Sequence, residues 1–292
     1  MALPAIGSIL AGHDDTHLWC HGRVSGLMDV FYPDTGVCTG SRVSGVVHEH
    51  LLLMTGSFRS ALQGLLSGIP RRTGYAGDFR SMLLTSPLSP PRDRTRHHSL
   101  DYMDLADAIG CGGKVQLPKP VVEPSGEPHV ALFPGARYGT AKIWGGFEEL
   151  ASVLAGRTGL EVIMYGPPGE RAYLGSLARG KRGCRVRTDL SIPGLASVLM
   201  NAAVTAGNDS GGVHLSAALG VPTVTVFGST SPAWTAPLGP LTVNLASSRD
   251  CSPCFRRVCP RGHAECLDDI TLEMVADACE DLMDRGRDQC HV

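Results

Sequence analysis

The chain has 292 residues, and its 26 lysines and arginines nearly balance 28 aspartates and glutamates. A protein that binds nucleic acid through phosphate contacts usually has a basic excess, so this balance argues against that class. A hydrophobic fraction of 43% with 18% charged residues excludes global disorder. No apolar run reaches the roughly 18 residues of a membrane-spanning helix, and the first ten residues lack the basic start of a signal peptide. We therefore expect a cytoplasmic protein.

A proline-rich stretch divides the chain into two predicted domains. Residues 118–128 contain four prolines and a glycine, a composition typical of a linker. This predicts an N-terminal domain over residues 1–117 and a C-terminal domain over residues 129–292. Apolar patterns are blurred before the linker, apart from the stretch 43–54 and a predicted helix over 57–67.

After the linker, short apolar runs alternate with longer amphipathic ones. The pattern predicts strands over residues 129–133, 161–165, 203–206 and 221–227, and helices over residues 147–154, 171–178, 192–200 and 213–219. Strand and helix in alternation predict an α/β fold with a parallel, doubly wound sheet covered on both faces.

Three strand-to-helix loops are candidate ligand sites, because ligands of such sheets bind beyond the carboxyl ends of the strands. Residues 134–144 (PGARYGTAKIW) combine two glycines, which allow close backbone approach to an anion, with the positive charge of Lys142. This spacing is neither a Walker loop nor GxGxxG, so a solvated loop with a surface lysine is an equal alternative.

The second loop is 207–214 (GNDSGGVH), and the third is the hydroxyl-rich turn 227–232 (FGSTSP). Asp209 or Ser210 suits a plain helix N-cap. His214 beside two glycines favours a ligand site instead. Three such loops at one crevice predict a site for a diphosphate that needs no metal to neutralise it.

Segments 134–144, 208–222, 227–232 and 235–237 together resemble the glycosyltransferase family 9 heptosyltransferases, and segments 57–61, 68–75 and 251–267 are also similar to this family. The resemblance implies a GT-B architecture of two Rossmann-like domains facing a cleft, with ADP-heptose in the C-terminal domain and the lipid A–core acceptor in the N-terminal one. It implies inverting, metal-independent transfer of L-glycero-D-manno-heptose to the lipopolysaccharide inner core, without a cofactor. It also implies a peripheral enzyme at the cytoplasmic face of the inner membrane.

The resemblance assigns residues to both substrates. The implied donor site consists of Thr140 and Lys142 at the diphosphate, Glu170 at the ribose, the backbone of Leu190 at adenine, and Asp209, Ser210, Gly211, Gly212 and His214 at the phosphate and sugar. Arg59, Arg71 and Arg72 are candidates for anionic groups of the acceptor, because arginine suits bidentate anion recognition. A solvated basic face is an equal alternative for these three.

One family feature has no counterpart here. Family members open with an apolar strand and a Gly-Asp loop whose aspartate is the general base, whereas the resemblance here begins at Ala2. We therefore expect an incomplete N-terminal domain, an internal Met1 and an unknown base; Asp14 and Asp15 are poorly placed carboxylates. A non-catalytic nucleotide-sugar binding remnant, or another GT-B enzyme such as a nucleotide-sugar epimerase, is the alternative function.

Four cysteines lie close together near the C-terminus: Cys251, Cys254, Cys259 and Cys266, with His263 among them. Such dense thiols suggest a structural zinc or an iron–sulfur site. The spacing matches no standard zinc module, so a loop of family-typical cysteines without metal is the other interpretation.

Overall fold

The computed structural model describes residues 1–40, 48–77, 79–91, 93–262 and 264–289. These form two compact units, Met1–Val121 and Val122–Val292. The division falls inside the stretch 118–128 that the prolines mark as a linker. Among the residues that the structure describes, no helix combines the length and the apolar character needed to cross a membrane.

The N-terminal unit is built from short parallel strands and helices. Its elements are α1 (Leu3–Gly12), β1 (Leu18–Cys20), α2 (Gly22–Phe31), β2 (Val37–Thr39), β3 (His50–Leu53), α3 (Phe58–Leu66), β4 (Arg71–Tyr75), a 3₁₀ turn (Arg80–Leu83), β5 (Ser86–Leu88) and α4 (His98–Asp107). The described strands form two parallel sheets, β1–β2 and β3–β4–β5. Helix α3 agrees with the helix predicted over 57–67, and residues 43–47 of the predicted apolar stretch lie outside the described residues.

Small cores hold these elements together. Ala5 and Ile9 of α1 pack against Met103 and Ala106 of α4. The Tyr32 hydroxyl donates to the Leu3 carbonyl at 2.6 Å and so fixes the start of α1 to the end of α2. Asp14 and Asp15 lie exposed after α1.

The C-terminal unit alternates strand and helix. Its elements are β6 (His129–Phe133), α5 (Phe147–Thr158), β7 (Glu161–Tyr165), α6 (Arg171–Ala178), β8 (Cys184–Arg187), α7 (Ile192–Leu199), β9 (Ala202–Asn208), α8 (Gly211–Ala218), β10 (Thr223–Phe227), α9 (Pro232–Thr235), β11 (Thr242–Ala246), α10 (Glu265–Asp268) and α11 (Leu272–Gln289), with 3₁₀ turns at Thr140–Lys142 and Pro168–Glu170. The six strands are parallel, in the order β11-β10-β9-β6-β7-β8. The predicted parallel α/β fold is confirmed.

The strand order determines where in this sheet a ligand crevice lies. The first strand of this unit, β6, lies beside the fourth, β9, and the connections run in opposite directions from this pair. Such a reversal opens a crevice at the carboxyl ends of the two strands. Val130 and Leu132 of β6, together with Val204 of β9, are fully buried in the core below the crevice. Helix α11 covers one face of the sheet through Val275 and Leu282.

Candidate active site

The first two candidate loops start side by side at this crevice. Phe133, the last residue of β6, is paired with Gly207 of β9. Asn208 joins the loops directly: its side-chain amide donates to the Pro134 carbonyl at 2.6 Å, and its side-chain oxygen accepts from the Trp144 backbone N–H at 3.1 Å. One buried side chain therefore fixes both ends of the loop that carries Lys142.

Asp209 is the centre of the site. Its carboxylate accepts from Lys142 Nζ at 2.5 Å and Thr230 Oγ1 at 2.7 Å. Thr235 Oγ1 lies 3.2 Å from the same oxygen, and His214 Nε2 lies 3.3 Å from the other one. Asp209 thus brings together a cation, an imidazole and two hydroxyls from the ends of β6, β9 and β10.

The electrostatics of this cluster favour the ionised form of the Asp209 carboxylate. Asp209 is only 6% exposed and Lys142 only 8%. Burial by itself would raise the pKa of Asp209. The hydrogen bond from His214, together with the charge and the hydrogen bond of Lys142, outweighs burial and lowers this pKa to about 2. A buried carboxylate with four donors is a stable anchor for the groups around it, and a weak base.

Helix α8 presents its N-terminus to the same place. Ser210 occupies the N-cap position in an extended conformation, and its hydroxyl makes no capping hydrogen bond. The carboxylate of Asp209 turns to Lys142 instead of capping the helix. The N-terminal N–H groups of α8 therefore lack a side-chain cap and can meet an anion. The plain N-cap interpretation of Asp209 and Ser210 does not describe this helix.

Two glycines allow the close packing around this helix end and the Lys142 loop. A Cβ on Gly212 would collide with the ring of Phe133. Gly139 has a φ of 153°, and a Cβ there would collide with the carbonyl of Arg257. That carbonyl accepts from the Ala141 N–H at 3.1 Å. Gly139 therefore lets residues 255–257 lie directly against the loop that holds Lys142.

The sequence assigned no individual role to Asn208, Tyr138, Thr230 or Thr235, although Thr230 lies in the third candidate loop. Lys142 Nζ lies 4.9 Å from the centre of the Tyr138 ring, and Arg257 lies 5.3 Å from it, so this ring contacts two cations. The hydroxyl-rich turn after β10 was a signal for Thr230. The roles of Asn208 and Tyr138 depend on distant partners and leave no local pattern.

Glu170 and Leu190 follow the next two strands of the sheet. Glu170 ends the 3₁₀ turn after β7, and a Cβ on Gly135 would collide with its carboxylate, so it lies over the first loop. Burial raises the pKa of this carboxyl. Leu190 lies half-buried after β8, just before the Ser191 cap of α7. Thr140, by contrast, is exposed at the start of its 3₁₀ turn.

The three acceptor candidates differ in their surroundings. Arg72 is half-buried and donates to the backbone carbonyls of Leu83 at 2.9 Å, Ile69 at 2.6 Å and Pro70 at 3.2 Å. Its guanidinium thereby holds strand β4 to the neighbouring turns. Arg59 and Arg71 are exposed.

The cysteine-rich segment is held at both ends by Arg249. This side chain contacts Glu265 at 2.5 Å and Asp269 through two contacts of 2.8 Å. Burial and the three other thiols of the segment raise the pKa of Cys266. Within the described part of the chain, no three or more potential ligands are placed to hold a metal ion. His263 lies outside the described residues, and both interpretations of the cysteines stay predictions.

Comparison with known proteins decides the family. Residues 40–265 match glycosyltransferase family 9 (heptosyltransferase). The chain belongs to glycosyltransferase family 9. Lipopolysaccharide heptosyltransferase 1 of Pseudomonas aeruginosa is 34% identical over 172 residues, which cover 57% of this chain and 48% of that protein. Lipopolysaccharide heptosyltransferase 2 of Escherichia coli K12 is 29% identical over 221 residues, which cover 65% of this chain and 63% of that protein. The matches thus span about half to two thirds of these relatives.

A solved structure shows the same fold. The structure of E. coli ADP-heptose lps heptosyltransferase II matches with a TM-score of 0.82 and 20% identity, over 98% of this chain and 95% of that one. The parallel α/β fold expected for a family 9 protein is therefore confirmed.

Proposed function

We propose that this family 9 protein transfers L-glycero-D-manno-heptose from ADP-heptose to the lipopolysaccharide inner core. One observation carries the proposal: Asp209 gathers Lys142, His214, Thr230 and Thr235 beside the uncapped N-terminus of α8. A cation and free backbone N–H groups at the switch point of a nucleotide-binding sheet suit a nucleoside diphosphate.

The choice of donor rests on the site and on the relatives together. Two relatives are named lipopolysaccharide heptosyltransferases, and the matching structure is of an ADP-heptose enzyme. In our proposal, Thr140, Lys142 and the glycines at 211 and 212 contact the diphosphate. Glu170 accepts from the ribose hydroxyls, and the backbone at Leu190 contacts adenine.

The proposed reaction is an inverting displacement. The acceptor oxygen forms a bond to C1 of the heptose as the bond from C1 to the phosphate oxygen breaks on the opposite face, and the acceptor hydroxyl gives its proton to a general base other than Asp209. Negative charge grows on the departing ADP. The N–H groups of α8 and the ammonium of Lys142 stabilise that charge, so the chemistry needs no metal ion.

Asp209 has a positioning role in this mechanism. A general base contributes typically 10²- to 10⁴-fold and works best with a pKa near the working pH. The pKa of Asp209 is about 2, and its oxygens already accept from four groups. It therefore orients Lys142 and His214 and does not take the acceptor proton.

For the acceptor, the proposal places anionic groups of the lipid A–core at Arg59 and Arg71, which are exposed. The enzyme would work at the cytoplasmic face of the inner membrane, where such a lipid acceptor is embedded.

The test combines an activity assay with calorimetry. We expect a heptosylated product only when both ADP-heptose and the acceptor are present, and we expect ADP to bind. ADP binding without turnover would support a nucleotide-sugar binding remnant instead. Conversion of a UDP-sugar without any acceptor would support an epimerase.

A further inference from the structure

A cavity of about 370 Å³ lies at the edge of the C-terminal sheet, beside strand β8. It is lined by Arg171, Arg185, Val186, Arg187 and Asp189, and we call it the arginine cavity. Of these five residues, only Val186 is apolar. Three guanidinium groups at one small space suit an anion, because guanidinium groups form paired, charge-assisted hydrogen bonds with phosphate and carboxylate oxygens.

The fold brings the three arginines together from two elements. Arg171 is the first residue of α6, whereas Arg185 and Arg187 belong to β8. Side chains at alternate positions of a strand point to the same side, so Arg185 and Arg187 share one face of β8. Helix α6 packs beside this strand, and its first residue therefore reaches the same cavity. The cavity lies at the carboxyl end of β8, as the candidate loops do at their own strands.

Nearby carboxylates neutralise only part of this positive charge. Glu161 accepts from Arg185 at 2.5 Å, but Asp189 lies 4.0 Å from Arg187, which is too far for a hydrogen bond. Within the part of the chain that the structure describes, Arg171 is in no ion pair. The segment 171–187 has six basic residues and no acidic one, although the whole chain has a net charge of −2. Guanidinium N–H groups of the cavity are therefore available to an added anion.

The arginine cavity adjoins the proposed nucleoside site. The Gly166 N–H donates to the Arg187 carbonyl at 3.3 Å, and a Cβ on Gly166 would lie 2.8 Å from a carboxylate oxygen of Glu170. The proposed ribose acceptor and the end of β8 therefore meet at Gly166. Leu190, proposed at adenine, directly follows Asp189, with about 3.8 Å between their Cα atoms. A ribose held by Glu170 thus lies next to the cavity.

We propose that the arginine cavity binds a phosphate group carried on the 2′ or 3′ oxygen of the ribose of a nucleotide. In dinucleotide-binding sheets, an acidic residue binds the free ribose hydroxyl, whereas a nearby arginine accommodates a ribose phosphate. This chain has both kinds of residue at the same ribose position. The volume of the cavity also falls in the range of small-molecule sites, roughly 300–1,000 Å³.

The inference rests on the proposed function, because it needs the nucleoside contacts of Glu170 and Leu190. The ribose of ADP-heptose carries no phosphate, so the donor would leave the cavity empty. A nucleotide with a phosphate on its ribose would fill it and would compete with the donor for the nucleoside site. Free phosphate offers the same chemistry to the three arginines, and the experiment has to distinguish the two sources.

The experiment is calorimetry of the whole chain with AMP, adenosine 2′,5′-bisphosphate and adenosine 3′,5′-bisphosphate. We expect one of the two bisphosphates to bind at least about tenfold tighter than AMP, because the added phosphate forms charge-assisted hydrogen bonds. Arg171→Gln and Arg187→Gln should each weaken bisphosphate binding about tenfold. Both variants should keep the affinity of the wild type for AMP, because AMP has no phosphate at the cavity.

Two further variants separate the cavity from the general charge of the segment. Arg179 is exposed in the same basic segment but does not line the cavity, so Arg179→Gln should keep the preference for the bisphosphate. Asp189→Asn removes the carboxylate that lines the cavity and should strengthen bisphosphate binding about threefold. A misfolded variant would not give such a gain.

Pyrophosphate alone is the probe for a free phosphate. Pyrophosphate binding that Arg187→Gln weakens, without any preference for a bisphosphate over AMP, would support a phosphate site that takes a free ligand. Equal affinity for all three nucleotides and no pyrophosphate binding would overturn the inference. So would an equal loss in Arg179→Gln and Arg187→Gln, because the effect would then come from general charge. If neither AMP nor ADP binds, the proposed function fails at the nucleoside site, while pyrophosphate still tests the cavity.

Discussion

Replacing Lys142 by methionine removes the charge at the donor site while keeping most of the side-chain length. Asp209 is then left buried without its cationic partner, and breaking a buried pair in this way costs about 3–5 kcal/mol. The structure gives a second measure. The pKa of Asp209 falls from 3.8 to about 2, and at about 1.36 kcal/mol per pKa unit all its partners together outweigh burial by about 2 kcal/mol. We therefore expect Lys142→Met to lower the free energy of unfolding by about 3 kcal/mol.

The assay is a double-mutant cycle in urea, followed by tryptophan fluorescence. Trp144 is buried next to the site and reports its unfolding. Asp209→Asn removes the charge that Lys142 neutralises, so the double variant should lose about 1–3 kcal/mol less than the two single losses combined. Strictly additive losses would refute the reasoning that the two side chains stabilise each other.

The same variants separate stability from ligand binding. Lys142→Met, like Lys142→Ala, should lower turnover by more than about tenfold, because the departing diphosphate loses its cation. The double variant should bind ADP as weakly as the single Lys142 variant, although it no longer contains an unpaired buried carboxylate at position 209. Wild-type ADP affinity in the double variant would contradict the assignment of Lys142 to the diphosphate.

Three further predictions follow from the same unit. Gly212→Ala should cost about 1–3 kcal/mol in urea unfolding, because the new methyl collides with Phe133; Gly211→Ala is the control, since a Cβ there meets nothing within 4 Å. Because the folded pKa of Asp209 is lowered, its contribution is complete above pH 3.8 and is lost as pH falls through about 2. Acid titration of stability should thus cost the wild type about 2 kcal/mol more than Asp209→Asn; parallel curves would contradict this. Heptosyl transfer should survive dialysis against EDTA, and a loss restored by added Mg²⁺ would contradict the metal-free mechanism.

The sequence was most informative where elements are buried on both faces. The strands over 129–133 and 161–165 are predicted with the bounds that the structure shows. Buried strands read as unbroken apolar runs, and the three loops chosen by the rule that ligands bind at the carboxyl ends of strands follow β6, β9 and β10 in the structure. Strands β8 and β11 were not predicted, because they are the two edges of the sheet and their half-exposed residues give no clear pattern.

The inner arrangement of the site was beyond sequence reasoning. Lys142 and Asp209 are separated by 67 positions, and an aspartate before a helix is equally typical of a cap. Only the packing shows that the carboxylate turns away from the helix to meet Lys142. Arg72 likewise carries the same charge as its neighbour Arg71. Its three hydrogen bonds to backbone carbonyls give it a structural role that the sequence pattern does not predict.

The contact between residues 138–141 and 255–257 has a consequence for how this chain can vary. The Tyr138 hydroxyl donates to the Phe255 carbonyl across 117 positions, and the Phe255 N–H donates in turn to the Ser229 carbonyl. An insertion or deletion between Cys254 and Cys259 would therefore displace residues 255–257, against which the Lys142 loop packs. A change in the length of the cysteine-rich segment therefore requires a matching change in the Lys142 loop. Engineering of either segment has to include the other.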